Sequence, residues 1–244
     1  MPGSGVGVLD KCMELQKHLA YVSKGLTAQE LARLTNMDRG TVHRLLKAMI
    51  YWRQVEAENG VYRLGAGCLL PASAYLTRLP LRRVALPYTI DLQHVISDRP
   101  AIVSVALPVG DRIVLIERMW TATTPFNVVA DLDDTFAIDG CTSGRAILAT
   151  YTEEQIRQTV GDERYAQVAL KLKEITENDD YSFGESEQRQ GLSSIGYPIR
   201  HAQNAAVGAL VIAGLEMEDV LQVSSPLAQH LQRACKGISE QLFG

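Results

Sequence analysis

"MDRGTVHRLLKAM", residues 37–49, carries two residue sets at one spacing. Val42, Leu45, Leu46 and Met49 recur at helical intervals and make an apolar stripe. Gly40, His43, Arg44 and Lys47 recur at the same intervals, one step round. Asp38 stands where a helix needs an N-cap. The stretch therefore predicts a helix with one face for a core and one cationic, hydrogen-bonding face. A solvated surface helix shows the same pattern, so the flanking sequence has to decide.

Upstream, "LTAQEL" is a dense helix-start signal. Thr27 can cap and Glu30 can reach back, with Leu26 and Leu31 at the two places of a hydrophobic staple. A short helix over about Ala28–Leu34 follows, then a turn at "TNMD" in which Asn36 tolerates a left-handed conformation. Before it, Val8, Cys12, Leu15 and Leu19 share one face of a first helix that "SKG" interrupts. A short helix, a tight turn and an amphipathic helix make the helix-turn-helix pattern. Downstream, "QVEAENGVYRL" is two short alternating runs around Asn59-Gly60, a hairpin signal with a type I′ turn. A hairpin directly after such a helix makes a winged helix. Arg39, His43, Arg44 and Lys47 then face outward near the start of a helix narrow enough for the major groove. Arg and Lys suit phosphates or guanine edges, Thr41 offers a hydroxyl, and Gly40 permits close backbone approach. Thr27 and, on the hairpin, Arg63 complete the DNA-contact candidates.

Charge is divided in the way this reading requires. The chain of 244 residues has a net charge of -4. Residues 1–65 hold nine Lys/Arg and six Asp/Glu, a net of +3, whereas the remainder holds fifteen and twenty-two, a net of -7. Four scattered cysteines, with no CxxC pair and no zinc-like Cys/His spacing, predict reduced thiols in a cytosolic protein with no metal and no cofactor. No apolar run is long enough to span a bilayer, and "MPGSGVGVLD" lacks the regions of a signal peptide.

The second module reads differently. "GAGCLLPASAYLTRLP" predicts a linker with a short helix, and Leu81–Ile96 a helix broken by, or restarting at, Pro87. "AIVSVALP" and "RIVLIERM", joined by "VGD", predict a buried hairpin, and "TPFNVVAD" a strand. "CTSGRAILATYTEEQIRQTV" turns helical, with a new helix after Thr152, and "ERYAQVALKLKEI" is another. "YSF", "LSSIGYPIR" and "AAVGALVIAG" predict strands, and "SSPLAQHLQRACKGISEQLF" an amphipathic closing helix. Strands grouped together with helices around them predict an α+β fold on an antiparallel sheet.

Catalytic constellations are sparse. There is no GxSxG, P-loop or HExxH. "QRQGLS" (Gln188–Ser193) half resembles a pyrophosphate loop of acyl-CoA N-acetyltransferases, but Ser193 stands where Gly or Ala is expected and a strand-like run follows. Asp131, Asp133, Asp134 and Asp139 read as a solvated acidic loop rather than a cation site. Cys141 has no base beside it in sequence and reads as a structural thiol. The stretch that points to a site is "DGCTSGRAIL", where Thr142, Ser143 and Gly144 open a helix whose free N–H groups suit a carboxylate. A plain Thr N-cap gives the same local sequence.

Through these motifs the whole chain from about Val6 resembles the IclR family of bacterial transcriptional regulators. "LTAQELARLTNMDRGTVHRLLKAM" with "YRLG" is similar to its winged-helix domain, "AIDGCTSGRAILA" to its effector-domain motif, and "DDYSFGESEQRQGLSSIGYPI" with "AAVGALVIAG" to its closing motif. The resemblance implies a GAF-like effector domain for a small organic acid or aromatic compound, and dimers or dimers of dimers acting on double-stranded operator DNA. It implies that Thr142 and Ser143 hold backbone-donor positions and Leu192 a pocket wall. Departures are present. Gly40 replaces a common serine, the glycine usual before the wing is replaced near Arg53, Gly184 stands at an acid position and Ser194 at a cysteine position. The glycine predicts extra space and one fewer polar partner. Ligand candidates are thus Thr142, Ser143, Gly144, Gly184, Leu192 and Ser194. The expected plan is a DNA-binding domain over 1–65, a linker helix over 66–80 and an effector domain over 81–244, with no catalytic residue. The competing plan is a transferase-like enzyme with a regulatory helical module.

Overall fold

The structure is a computed structural model that describes residues 6–125, 135–185, 191–202 and 204–244. The chain divides into two compact units, Met1–Arg78 and Leu79–Gly244. The strand expected at "TPFNVVAD" falls, beyond Pro125, outside the described residues, as do Asp131, Asp133, Asp134 and Gln188–Gln190.

The first unit runs α1 (Gly7–Ala20), β1 (Leu26–Thr27), α2 (Ala28–Thr35), α3 (Arg39–Tyr51), β2 (Val55–Glu58), β3 (Val61–Leu64) and α4 (Leu69–Arg78). The apolar stripe of α3 forms its core: Val42, Leu45, Leu46 and Met49 pack with Leu15, Leu19, Leu31 and Val55. Leu46 is fully buried, so truncation to alanine costs about 2–5 kcal/mol. Val8, expected on the same face of α1, is exposed because the core reaches no further along the helix than the half-buried Cys12. β2 and β3 pair with Glu58 opposite Val61, leaving Asn59 and Gly60 as a two-residue loop. Both loop residues have positive φ, 51° and 79°, as a type I′ turn requires. The wing gains a third strand that pattern reading did not find. β1 pairs with β3, Leu26 opposite Tyr62, and Gly25 makes that approach possible, since a Cβ there would lie 2.6 Å from the Tyr62 carbonyl.

The second unit is built on a six-stranded antiparallel sheet in the order β6-β5-β4-β9-β8-β7. Its strands are β4 (Ala101–Val109), β5 (Arg112–Trp120), β6 (Thr135–Ala137), β7 (Ser182–Glu185), β8 (Leu192–Ile199) and β9 (Gly208–Leu215). α5 (Pro80–Val95) and a long helix at the end, α9 (Pro226–Phe243), cover one face, where Leu92, Leu231 and Ile238 meet Ile195, Ile199, Leu210 and Ile212. The other face takes α6 (Thr142–Leu148), α7 (Glu153–Val160) and α8 (Asp162–Glu177), through Ile147, Leu148, Ile156 and Leu172. Alternation along β8 sends Ile195, Tyr197 and Ile199 to the α9 side and leaves Leu192, Ser194 and Gly196 on the α6 side. α5 runs through Pro87 unbroken, against expectation. Burial of Leu81, Ala85 and Leu92 on both sides of the proline outweighs the roughly 3 kcal/mol of a mid-helix proline. Among the described residues no helix is long and apolar enough to cross a membrane.

Candidate nucleic-acid interface and effector site

The start of α2 is fixed by a reciprocal cap. The Thr27 hydroxyl accepts from the Glu30 N–H at 3.2 Å, while the Glu30 carboxylate accepts from the Thr27 N–H at 2.7 Å and its hydroxyl at 2.8 Å. These bonds hold the Glu30 carboxyl below its ordinary range. The Thr27 side chain is thus committed to the cap. Asn36 ends α2 in the left-handed conformation, φ 51°. Asp38 then caps α3, accepting from the Thr41 N–H at 2.9 Å. Thr41, hydroxyl first and then N–H, holds the Asp38 carboxyl below the usual carboxylate range.

Beyond that cap α3 presents Arg39, Gly40, His43, Arg44 and Lys47 to solvent. Among the described residues none of these four side chains has a hydrogen-bond or ion-pair partner. Thr41 is half-buried at the edge of this face. Arg63 differs, since its Nε donates to the Lys24 carbonyl at 3.1 Å and its guanidinium pairs with Glu58 at 3.5 Å. Its first task is to tie the wing to the loop before α2. Lys24, whose carbonyl holds that arginine, carried no sequence signal beyond its charge. The residue in the place of the usual pre-wing glycine, Arg53, takes φ 57°, a left-handed conformation for a non-glycine residue.

In the second unit, the structure brings three of the ligand candidates together. The Thr142 and Ser194 hydroxyls are 2.7 Å apart, and the Ser194 hydroxyl also donates to the Gly184 carbonyl at 3.2 Å. Leu192 shares the Ser194 side of β8 and is 8% exposed. Thr142 and Ser143 are buried, and Gly144 packs so closely that a Cβ would lie 1.9 Å from the Ile138 carbonyl. The extra space expected at Gly184 is absent. A Cβ there would meet the Thr142 hydroxyl at 2.3 Å and the Arg145 guanidinium at 2.8 Å. The lost acid side chain is replaced by these two neighbours, not by a void.

Arg145 is the residue that pattern reading passed over. It donates to the Phe183 carbonyl at 3.2 Å and reaches the Asp139 carbonyl at 3.5 Å. Its place three residues after Thr142, on the same side of α6, was the available signal. Burial pushes the Cys141 thiol up, away from the thiolate that a nucleophile needs. Asp139 pairs with Arg164, which holds its carboxyl below the usual range, and no cluster of metal-ligating side chains occurs among the described residues.

Two family models match the chain. The IclR helix-turn-helix domain matches residues 8–58, and the bacterial transcriptional regulator IclR C-terminal domain matches residues 73–240. The Pca regulon regulatory protein of Pseudomonas putida is 25% identical over 259 residues, covering 98% of this chain and 83% of the relative. An IclR family transcriptional regulator from Brucella abortus matches the fold with a TM-score of 0.76 at 21% identity, over 98% of this chain and 93% of that one. An IclR homologue from Microbacterium hydrocarbonoxydans, solved complexed with 4-hydroxybenzoate, matches with a TM-score of 0.64 at 21% identity, over 96% and 98% of the two chains.

Proposed function

The chain belongs to the IclR family of bacterial transcriptional regulators, and on that premise we propose that it reads operator DNA with α3 and the wing and answers to a small carboxylate-bearing or aromatic effector. Membership carries the coarser statement by itself: a transcription factor with a DNA-binding helix-turn-helix and a ligand-binding C-terminal domain, not an enzyme. The transferase-like plan falls with it. The finer plan takes residues 1–65 as the DNA-binding domain, 66–80 as linker and 81–244 as effector domain, in a cytoplasmic protein.

The observation that carries the DNA reading is the unpartnered face of α3. Arg39, Arg44 and Lys47 are like charges within about two turns, with no acid paired to them among the described residues. Such a cluster repels itself in the free protein and is relieved by phosphates, whose condensed counterions it releases. Thr27 and Arg63 have internal partners, so their part is to set the angle of α2 and the wing. A single winged helix touches few base pairs. A dimer with half-sites about 34–36 Å apart supplies the remaining specificity.

For the effector, the Thr142–Ser194 hydroxyl pair supports a site between α6 and β8. The two hydroxyls now satisfy each other. A carboxylate entering between them would take both as donors, with an apolar or aromatic body along the Leu192 side. The 4-hydroxybenzoate held by the Microbacterium homologue is a ligand of this chemistry. The effector must favour one of the DNA-competent and DNA-released states, since equal affinity shifts no equilibrium. The test is to select bound fragments from the source genome, then titrate the full chain with 4-hydroxybenzoate and other aromatic and aliphatic acids while following operator release. Loss of the ligand response in Ser194→Ala, with operator affinity retained, is expected. An unchanged response in a folded Thr142→Val, Ser194→Ala variant puts the effector elsewhere.

A further inference from the structure

The outer stripe of α3 does not stop at Lys47. Gly40, Arg44, Lys47 and Tyr51 stand at i, i+4, i+7 and i+11. At 3.6 residues per turn they fall within about 60° of one another, opposite the buried Val42, Leu45, Leu46 and Met49. Tyr51 is the last residue of α3 and is 80% exposed, and Trp52, its C-cap, is 72% exposed. Their rings meet edge to face, with centroids 5.5 Å apart and planes at 89°. Two large aromatic side chains left in water side by side mark a surface that meets a partner.

Charge and helix length say which partner. Arg44 and Lys47 precede the pair, the exposed Arg53 follows it, and none of these three side chains has an ion-pair partner among the described residues. An apolar protein face would strip water from those cations without pairing them, whereas a polyanion takes the cations and the aromatic pair together. Tyr and Trp suit a polar backbone, since each has an apolar body and one O–H or N–H donor. The opening residues of a reading helix meet base edges. Tyr51 lies 11 residues beyond Gly40, about 16 Å along the axis. The major groove is about 12 Å wide, so the last turn of α3 has crossed to the sugar–phosphate ridge. Side-chain size agrees, because Gly40 lets the start of the helix approach closely and Tyr51 spans the gap at its end.

We propose that Tyr51 is a backbone clamp: its hydroxyl donates to a phosphate at the far edge of the major groove, and Trp52, packed against its ring at a right angle, holds it upright. Tyr51 touches the DNA, and Trp52 is a positioning residue. The clamp reads no base; it sets the depth and angle at which α3 sits. This inference rests on the α3 reading above and adds a contact to it that neither the base-reading nor the charged side chains supply.

The test uses the full chain with the operator duplex selected from the source genome, beside a scrambled duplex of the same composition. Tyr51→Phe keeps the ring and removes the donor. It should weaken both duplexes alike, by about two- to tenfold per half-site. The slope of log affinity against log salt should stay as it was, since a neutral hydroxyl releases no counterion; Lys47→Ala should lower that slope, so the two contacts separate. Ethylation of the operator phosphates should reveal one phosphate in each half-site whose blocking weakens the parent and has no effect on Tyr51→Phe. Trp52→Ala should also weaken binding, and the Tyr51→Phe, Trp52→Ala double variant should be no weaker than Tyr51→Phe alone, as a residue acting through Tyr51 requires. The chain has two tryptophans, Trp52 and Trp120. In a Trp120→Phe background, acrylamide should quench the remaining emission freely in the free protein and less in the operator complex. Unchanged affinity with an unchanged ethylation pattern in Tyr51→Phe overturns the clamp. Trp52 emission already shielded from acrylamide without DNA overturns it too, and gives the aromatic pair to a protein contact. An unmutated chain that binds no operator strikes the α3 reading itself, and the clamp with it.

Discussion

Arg44→Ala and Lys47→Ala should fail in different ways, and the difference can be worked out beforehand. Both side chains are exposed on α3 and have no internal partner among the described residues, so neither change should move stability by more than about 0.5 kcal/mol. On the proposed reading, what is lost is therefore contact with DNA, counted twice in the proposed dimer. If Lys47 sits on phosphate, its removal lowers the slope of log affinity against log salt by about 0.9 per half-site, or about 1.8 per dimer. Affinity then falls alike for all sequences. If Arg44 is bidentate on a guanine, its removal costs about 1–3 kcal/mol per half-site, and twice that per dimer, with tenfold in affinity for each 1.4 kcal/mol. The salt slope then stays nearly as it was, and discrimination relaxes at one base position in each half-site. Fluorescence anisotropy with the selected operator and with point-changed operators, over a salt series of about 50–200 mM, reads both quantities. A thermal melt of each variant checks the stability clause. An Arg39→Ala, Arg44→Ala double variant that keeps wild-type affinity, slope and melting temperature would refute the assignment of α3 to the groove.

Three further outcomes are expected. Arg53→Gly should raise the stability of the first unit by up to about 1 kcal/mol, because the arginine holds a left-handed backbone that costs it more than it costs glycine; a lower midpoint in urea would contradict this. Gly184→Ala should destabilise the second unit by about 1–3 kcal/mol, since its methyl would meet the Thr142 hydroxyl at 2.3 Å, and a neutral chemical-denaturation result would mean that this contact is soft. The Arg164 guanidinium depresses the Asp139 carboxyl, so their pairing stabilises the fold above the ordinary carboxylate range and is lost as pH falls through the depressed value. Asp139→Asn should therefore unfold more readily than the parent near neutral pH, the two converging in acid; parallel pH profiles of the melting temperature would count against the pairing.

The parts of the fold that could be read in advance are those fixed by neighbours in sequence. The Thr27–Glu30 cap, the left-handed Asn36, the Asp38 cap and the Asn59-Gly60 turn each depend on residues within a few positions. The strand over "LSSIGYPIR" was legible too, whereas which of its sides meets α9 and which meets α6 is fixed only by the packed helices. What escaped depends on distant packing. Two residues of β1 have no period to detect, and they become a strand only because Tyr62 and Val61 arrive beside them. Pro87 looked like a break because the buried residues that keep α5 whole are not local to it. Gly184 suggested a void because the absence of a side chain says nothing of what moves in. Thr142 and Arg145, from another element, do so. Motif reading reached the members of the hydroxyl pair separately, as Thr142 and Ser194, but only folding sets them 2.7 Å apart.

The third strand of the wing has a mechanical consequence. Through β1, the hairpin is bolted to the same residue that caps α2, and Arg63 adds a second fastening to the Lys24 carbonyl. Wing and reading helix then behave as one stiff tool with a fixed gauge, which cannot be reshaped piecemeal. On the proposed reading, an effector bound in the second unit has little leverage on which bases this tool prefers. In the dimer proposed above, it would act on how far apart two such tools are held. Operators with intact half-sites but one or two base pairs added between them would then exchange their response to the effector, some released where the natural spacing is held and some held where it is released, while the preferred bases stay the same.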